Sequence, residues 1–387
     1  MTDANYSDFL WLEDVESPKA LTWAGGHNNN TFSRLKTDPR FNPLRDDILA
    51  LLNAEDRIQY GTQRDDGTVY NFQKTAEHVR GIWRRCTLEE YLNARQTGTF
   101  NWQTLLDVDA LAEAEGENWV VKNFNRSPNG KRVLVGLSRG GADATVVREF
   151  CMETLQFLAE GFYLPEAKSW MCWEDDDTLL VATDRGEGSL TTSGYPRTVV
   201  RLKRDQNLAD SIIVHECDRE HMLVAPRRWE LPEGDVCTIE EKRTFFTGRS
   251  LMPNSAGGFD PLDVPDDVQH EGIRDNQVLL SLRHPWQVNG ETYPQGALVL
   301  LTPDSGQTEL LWAPTDSTVL DGVTRVKGGF LLTVMENVTD KVIYMTCDEG
   351  IWHQKSLPLP ENGILGVHNT SAKRTDFMFT YANSVTP

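Results

Sequence analysis

The sequence contains no C-x-x-C pair: Cys86, Cys151, Cys172, Cys217, Cys237 and Cys347 stand singly along 387 residues. That scatter indicates neither a disulfide framework nor a zinc ribbon. No apolar run approaches the ~18 residues of a membrane-spanning helix. Met1-Thr2-Asp3-Ala4-Asn5-Tyr6 has neither the basic nor the apolar region of a signal peptide. Basic residues are in short supply, with 38 Lys and Arg against 58 Asp and Glu and a formal net charge of −20. Binding of a polyanion generally needs a concentrated Lys/Arg face. The expectation is therefore a cytoplasmic, reduced protein with no nucleic-acid or membrane partner and no cofactor or metal.

At 39% hydrophobic and 25% charged, the chain has an ordinary globular composition and enough length for a sizeable core. Its first sixty residues read as helical. Ser17-Pro18 supplies an N-cap with proline at the first helical position, leading into Lys19-Ala20-Leu21-Thr22-Trp23. The helix is expected to end or fray at Gly25 to Asn30, where each glycine costs ~1 kcal/mol relative to alanine. A second helix spans Leu44 to Leu52, with Leu44, Ile48, Leu51 and Leu52 on one face.

From about Gly61 the pattern changes to short β-like runs between Gly, Asp, Asn and Pro. Turn-like points at Asp66, Asn129, Asp176, Glu233, Asp275, Lys327 and Arg374 recur about every 50 residues, close to the ~40–50 of a four-stranded propeller blade. Runs such as Leu179-Leu180-Val181-Ala182 and Val278-Leu279-Leu280 are apolar throughout, as strands buried on both faces require. After Arg374 only Asp376 to Tyr381 reads as strand, so the last repeat is short.

Gly136-Leu137-Ser138-Arg139-Gly140 fits the G-x-S-x-G pattern of a nucleophile elbow, which would make Ser138 a hydrolase nucleophile. An elbow must run into a helix, and Ala144 to Phe150 carries adjacent β-branched residues suited to a strand. Ser138 is therefore read as part of a β-hairpin, and no catalytic residue is assigned. His215-x-Cys217 with His221 offers ligand residue types, but without a converging partner it reads as a strand end beside a core cysteine. Glu174-Asp175-Asp176-Asp177 lacks the D-x-[DN]-x-[DN]-G framework of a cation loop and reads as a solvated turn. Trp170 and Trp173 read as blade packing.

Several separated blocks are similar to the start of bacterial members of the prolyl oligopeptidase family of serine peptidases. They include Trp11-Leu12-Glu13-Asp14-Val15, Ala20-Leu21-Thr22-Trp23, Asp38-Pro39-Arg40-Phe41, Arg80-Gly81-Ile82-Trp83-Arg84-Arg85, Leu137 to Ala144 with Arg148-Glu149-Phe150, and Ser193-Gly194-Tyr195-Pro196-Arg197. The resemblance implies a mainly β fold: a helical N-terminal arm (residues 1–60) and a seven-bladed β-propeller (residues 61–387) with an incomplete last blade. The family's Gly-Gly-Ser-x-Gly-Gly nucleophile block belongs to a C-terminal α/β-hydrolase domain, and it does not occur here. The resemblance then implies a propeller that gates the access of short peptides to a catalytic domain this chain lacks, and that is inactive alone. The alternative is a stand-alone binding propeller that pairs with a separate partner, such as an α/β-hydrolase domain, through its unfinished blade. Phe9, Leu10, Trp11 and Trp23 would then lack the surface on which the family's arm packs. The net charge adds the expectation of an acid-lined channel that favours cationic or neutral peptides.

Overall fold

The computed structural model describes residues 6–14, 16–54 and 56–386; Met1 to Asn5, Val15 of the Trp11 block and Pro387 lie outside the described residues. The chain divides into two compact units, residues 1–59 with 75–79 and residues 60–74 with 80–387.

The first unit holds a 3-10 helix (Tyr6–Glu13), α1 (Pro18–Leu35) and α2 (Phe41–Leu52). Ser17 caps α1 as its sequence suggests, its hydroxyl accepting the Ala20 N–H at 3.2 Å. The expected break at Gly25 to Asn30 does not occur, since α1 runs through it. Helix propagation adds a hydrogen bond for every residue fixed once the first turn exists. That turn is capped, and the rings of Trp23 and His27, one turn apart, lie 4.2 Å apart across the glycines, tilted at 50° to each other. The summed penalty of two glycines is therefore not enough to stop it. Leu44, Ile48, Leu51 and Leu52 are all exposed.

In the second unit the strands follow one another as antiparallel meanders. Among the described residues, six sheets of four or five strands occupy residues 62–107, 119–167, 170–216, 223–261, 269–312 and 318–356. A two-stranded sheet, Ile364–His368 with Met378–Ala382, comes last. Each of the first six turn points lies in the hairpin between the first two strands of its sheet, and Arg374 lies in the connection of the last. Two short helices, α3 (Leu88–Thr97) and α4 (Val108–Glu115), flank the last strand of the first sheet. A Thr87/Glu90 capping box starts α3, and the Asp107 side chain caps α4.

The continuous apolar runs arise because strand period 2 divides one run between two interfaces. In Arg132–Arg139, Val133, Val135 and Leu137 pack with Tyr70 and Trp83 of the first sheet, while Leu134 packs with Trp173 and Leu179 of the third. The fifth sheet repeats this: Val278 and Leu280 join Leu262 of the fourth, and Leu279 joins Phe330 and Leu332 of the sixth. Val326 and Leu331 of the sixth meet Leu365 of the last sheet, and Met378 packs on Val69 and Cys86 of the first sheet and on Tyr91 of α3. Polar bonds join the same ends of the unit. Asn369 receives the Gln63 N–H at 3.1 Å and donates to the Gly61 carbonyl at 2.6 Å, and Arg374 pairs with Asp65 at 2.9 Å.

All six cysteines are free thiols. Among the described residues no helix is long and apolar enough to cross a membrane.

Candidate functional site

First-strand or first-hairpin residues of five of the sheets converge on a cavity of about 580 Å³. Its wall takes residues 63–66 from the first sheet, 126–130 from the second, 227–231 from the fourth, 271–273 from the fifth, 323–325 from the sixth and 370–373 from the last connection. A second cavity of about 430 Å³ shares Arg64, Arg126, Arg227, Arg228 and Glu230 with it and adds residues 169–172 of the third sheet. Trp170 thus faces the cavity as well as Tyr195, which lies 5.7 Å away, whereas Trp173 is wholly buried, as expected of blade packing.

The lining is cationic, which overturns the acid-lined channel inferred from net charge. Arg64, Arg126, Arg227, Arg228, Arg325 and Lys373 face four carboxylates, Asp65, Asp66, Glu230 and Glu271. Net charge sums the whole surface and says nothing about its distribution. All four acids are already engaged. Asp65 binds Arg374 at 2.9 Å, Asp66 binds Arg126 at 3.0 Å, Glu230 binds Arg228 at 2.8 Å, and Glu271 accepts the Ser281 hydroxyl at 2.6 Å. Arg227 stacks over Trp229 at 3.7 Å, and its nearest carboxylate is Glu240 at 4.0 Å. Burial pushes the guanidinium pKa of Arg227 and of Arg325 down, against the pull of nearby carboxylates.

Ser138 lies at the end of Arg132–Arg139, fully buried, and its hydroxyl donates to the Ala142 carbonyl at 2.7 Å. The chain turns through Gly140 and Gly141, both at positive φ, into the strand Thr145–Cys151; no helix follows. Gly136 has its own steric reason, because a Cβ there would meet the Asn123 side-chain amide at 2.9 Å. Gly136→Ala is expected to cost about 1 kcal/mol, since that amide can move aside. Urea denaturation of the variant measures it.

His215, Cys217 and His221 lie near one another, and the structure adds a partner that sequence reading missed. Glu241 of the fourth sheet, wholly buried, stands between the two histidines, with His215 Nε2 at 2.7 Å and His221 Nδ1 at 3.0 Å. Arg249 donates to the same carboxylate at 3.1 Å. Cys217 belongs to the apolar cluster of Val224 and Ile239, as the core reading expects, and burial followed by the Glu241 charge pushes its thiol up to about 11. With an arginine on the carboxylate, this is a charge-neutralising hub, and the cation there is already supplied. Sequence spacing could not find it, because Glu241 is in the next sheet.

The acidic run goes to separate partners. Glu174 forks onto Arg201, Asp175 caps the Asp177 N–H, Asp176 accepts the Asn129 N–H at 3.0 Å, and Asp177 pairs with Arg204 at 2.6 Å. It is a turn whose ion pairs stay within the third sheet, while Asp176 ties it to the second sheet's hairpin through the Asn129 N–H.

Successive antiparallel four-stranded meanders, packed face to face with their first strands around a common cavity, define a β-propeller. The chain belongs to the prolyl oligopeptidase family: the family model for the prolyl oligopeptidase N-terminal β-propeller domain matches residues 3–228. It is 31% identical over 388 residues to an uncharacterized peptidase of Sinorhizobium fredii, covering 96% of this chain and 52% of that protein. A second uncharacterized peptidase, from Rickettsia prowazekii, is 24% identical, with 99% of this chain and 56% of that protein covered. Among solved structures, a post-proline cleaving enzyme from Rickettsia typhi superposes with a TM-score of 0.91 at 23% identity, over 99% of this chain and 58% of that one. Oligopeptidase B from Leishmania major gives 0.73 at 12% identity, over 96% and 52%. The chain therefore spans about half the length of the relatives it matches.

Proposed function

We propose that the chain is the gating half of a serine peptidase of this family: a seven-bladed ring, the last blade represented by two strands, whose axial cavity admits short peptides to an α/β-hydrolase domain. The observation that carries this reading is the convergence on one cavity of residues from the first strands or first hairpins of five of the sheets together with the connection of the last. A passage walled by β-hairpins excludes folded proteins by size and passes extended peptides. The hydrolytic step, by this reading, belongs to residues of the hydrolase domain, and Ser138 takes no part because its hydroxyl is spent on a carbonyl inside a hairpin. Scattered free thiols are consistent with a cytoplasmic setting.

The test is a fusion of this chain to the C-terminal half of the Sinorhizobium relative. The fusion is expected to cleave short proline-containing peptides and to spare an unfolded polypeptide of protein length, while this chain alone cleaves neither. Hydrolysis by the chain alone, abolished by Ser138→Ala, overturns the reading.

A second reading follows from the last sheet. Among the described residues Met378–Ala382 pairs with a strand on one side only, and Phe379 on it is exposed. Such an edge accepts a strand by β-augmentation. A separately supplied hydrolase domain that co-elutes with the chain in size-exclusion chromatography favours this form of the same partnership.

A further inference from the structure

The cavity wall gives the gate a charge preference opposite to the one its host molecule suggests. Of the four carboxylates that line the cavity, Asp65, Asp66 and Glu230 are each paired with an arginine and Glu271 is held by the Ser281 hydroxyl, while three of the six lining cations have no close carboxylate partner. Among the described residues the Arg64 guanidinium and the Lys373 ammonium form no ion pair or hydrogen bond, and Arg227 has only the 4.0 Å approach to Glu240, an acid shared with Lys242 at 3.6 Å. These three come from the first sheet, the last connection and the fourth sheet, so they face the cavity from separate parts of the wall. Arg64 and Arg227 also line the adjoining cavity, which places them where the two spaces meet.

Low-dielectric walls concentrate the field of charges that line a concavity, and an unpaired cation there counts for more than many screened acids on the outer surface. The guanidinium carbon of Arg227 lies 3.7 Å over the Trp229 ring, and its nearest ion pair, with Glu240, is at 4.0 Å. A planar guanidinium suits a carboxylate better than a mobile ammonium does.

We infer that this cavity is a carboxylate-selecting site that captures short peptides through acidic side chains or a free C-terminus, with Arg64, Arg227 and Lys373 as the recognising groups. The inference rests on the reading of the cavity as a peptide path, and it sets which peptides that path prefers. Peptides rich in lysine and arginine are disfavoured despite the net charge of −20.

The test uses the chain alone, without hydrolysis, so its outcome is independent of the fusion experiment. Binding of N-acetylated, C-amidated tetraglutamate and tetralysine is followed at low and high salt by calorimetry and by tryptophan fluorescence. Tetraglutamate is expected to bind about tenfold more tightly at low salt and to lose that advantage as salt screens the wall. The triple variant Arg64→Gln/Arg227→Gln/Lys373→Gln, checked for native circular dichroism, is expected to lose the preference. Lys373→Gln alone, at an exposed connection, gives a partial loss even if the triple variant folds poorly. Tetraalanine with a free C-terminus, compared with its amide, tells a terminal carboxylate from acidic side chains as the recognised group. Equal binding of the two charged peptides, a preference for tetralysine, or a preference for tetraglutamate that persists in Lys373→Gln and in the folded triple variant overturns the inference.

Discussion

Glu241→Ala is expected to destabilise the second unit by about 3–5 kcal/mol, the range for removing one partner from a buried ion-pair network. The carboxylate has no solvent exposure, and its loss leaves His215, His221 and Arg249 facing one another with nothing to hold them. Glu241→Gln keeps the shape and some hydrogen bonding, so it should fall between wild type and alanine. The same group sets an acid limit. Burial alone would raise the Glu241 pKa, but hydrogen bonds from His215 and Arg249, reinforced by their charge, bring it from 4.5 down to about 2. Because the folded pKa lies below the unfolded one, the stability it contributes is fully present above about pH 5 and is lost as the pH falls toward 2. The shift corresponds to roughly 3 kcal/mol. Urea midpoints measured across that window should fall more steeply for wild type than for Glu241→Gln, whose amide does not titrate. Parallel slopes for the two proteins would remove Glu241 from the account of acid lability.

The repeat was legible in the sequence because it rests on local chemistry. Asp66, Asn129, Asp176, Glu233, Asp275 and Lys327 each sit in the first hairpin of a sheet, and turn residues announce themselves without tertiary context. Ser138 was legible for the same reason, since Thr145-Val146-Val147 after it favours strand over helix. Two features were hidden. The run of α1 through Gly25 and Gly26 depends on a capped first turn and on a Trp23–His27 contact, which residue-by-residue propensity does not weigh. The cationic wall was masked by a total charge that averages over the surface. A signal for it did exist: Arg64, Arg126, Arg325 and Lys373 each stand a few positions before one of the turn points, and hairpins that converge bring such residues together. The Glu241 hub had no such signal, because its members are joined only when the third and fourth sheets pack.

Glu149→Ala is expected to cost as much as Glu241→Ala, for a related reason with a different geometry. Glu149 lies in the second sheet, wholly buried, and one carboxylate oxygen accepts the Phe162 N–H at 2.7 Å and Arg204 at 2.9 Å while the other accepts Arg204 at 3.1 Å. Arg204 follows the third strand of the next sheet, where it also holds Asp177 and packs its guanidinium over Phe162. One side chain thus locks the hairpin at Phe162 and adds an ion pair between two sheets that otherwise meet through apolar contacts and a few hydrogen bonds, such as Asn129 N–H to Asp176 and Trp173 Nε1 to the Asn125 carbonyl. Truncation leaves the buried Phe162 N–H unsatisfied and takes from Arg204 the carboxylate that binds both of its terminal nitrogens, leaving it only Asp177 and the Asp176 carbonyl, a loss of about 3–5 kcal/mol by the same rule. Because the carboxylate is shielded from solvent, that loss should change little between low and high salt. Exposed pairs such as Arg40 with Asp38 should behave otherwise, with Asp38→Ala giving no measurable shift in urea midpoint at any ionic strength. A Glu149→Ala penalty that shrinks toward zero in high salt would show that the pair is solvated and that the sheets are joined without it.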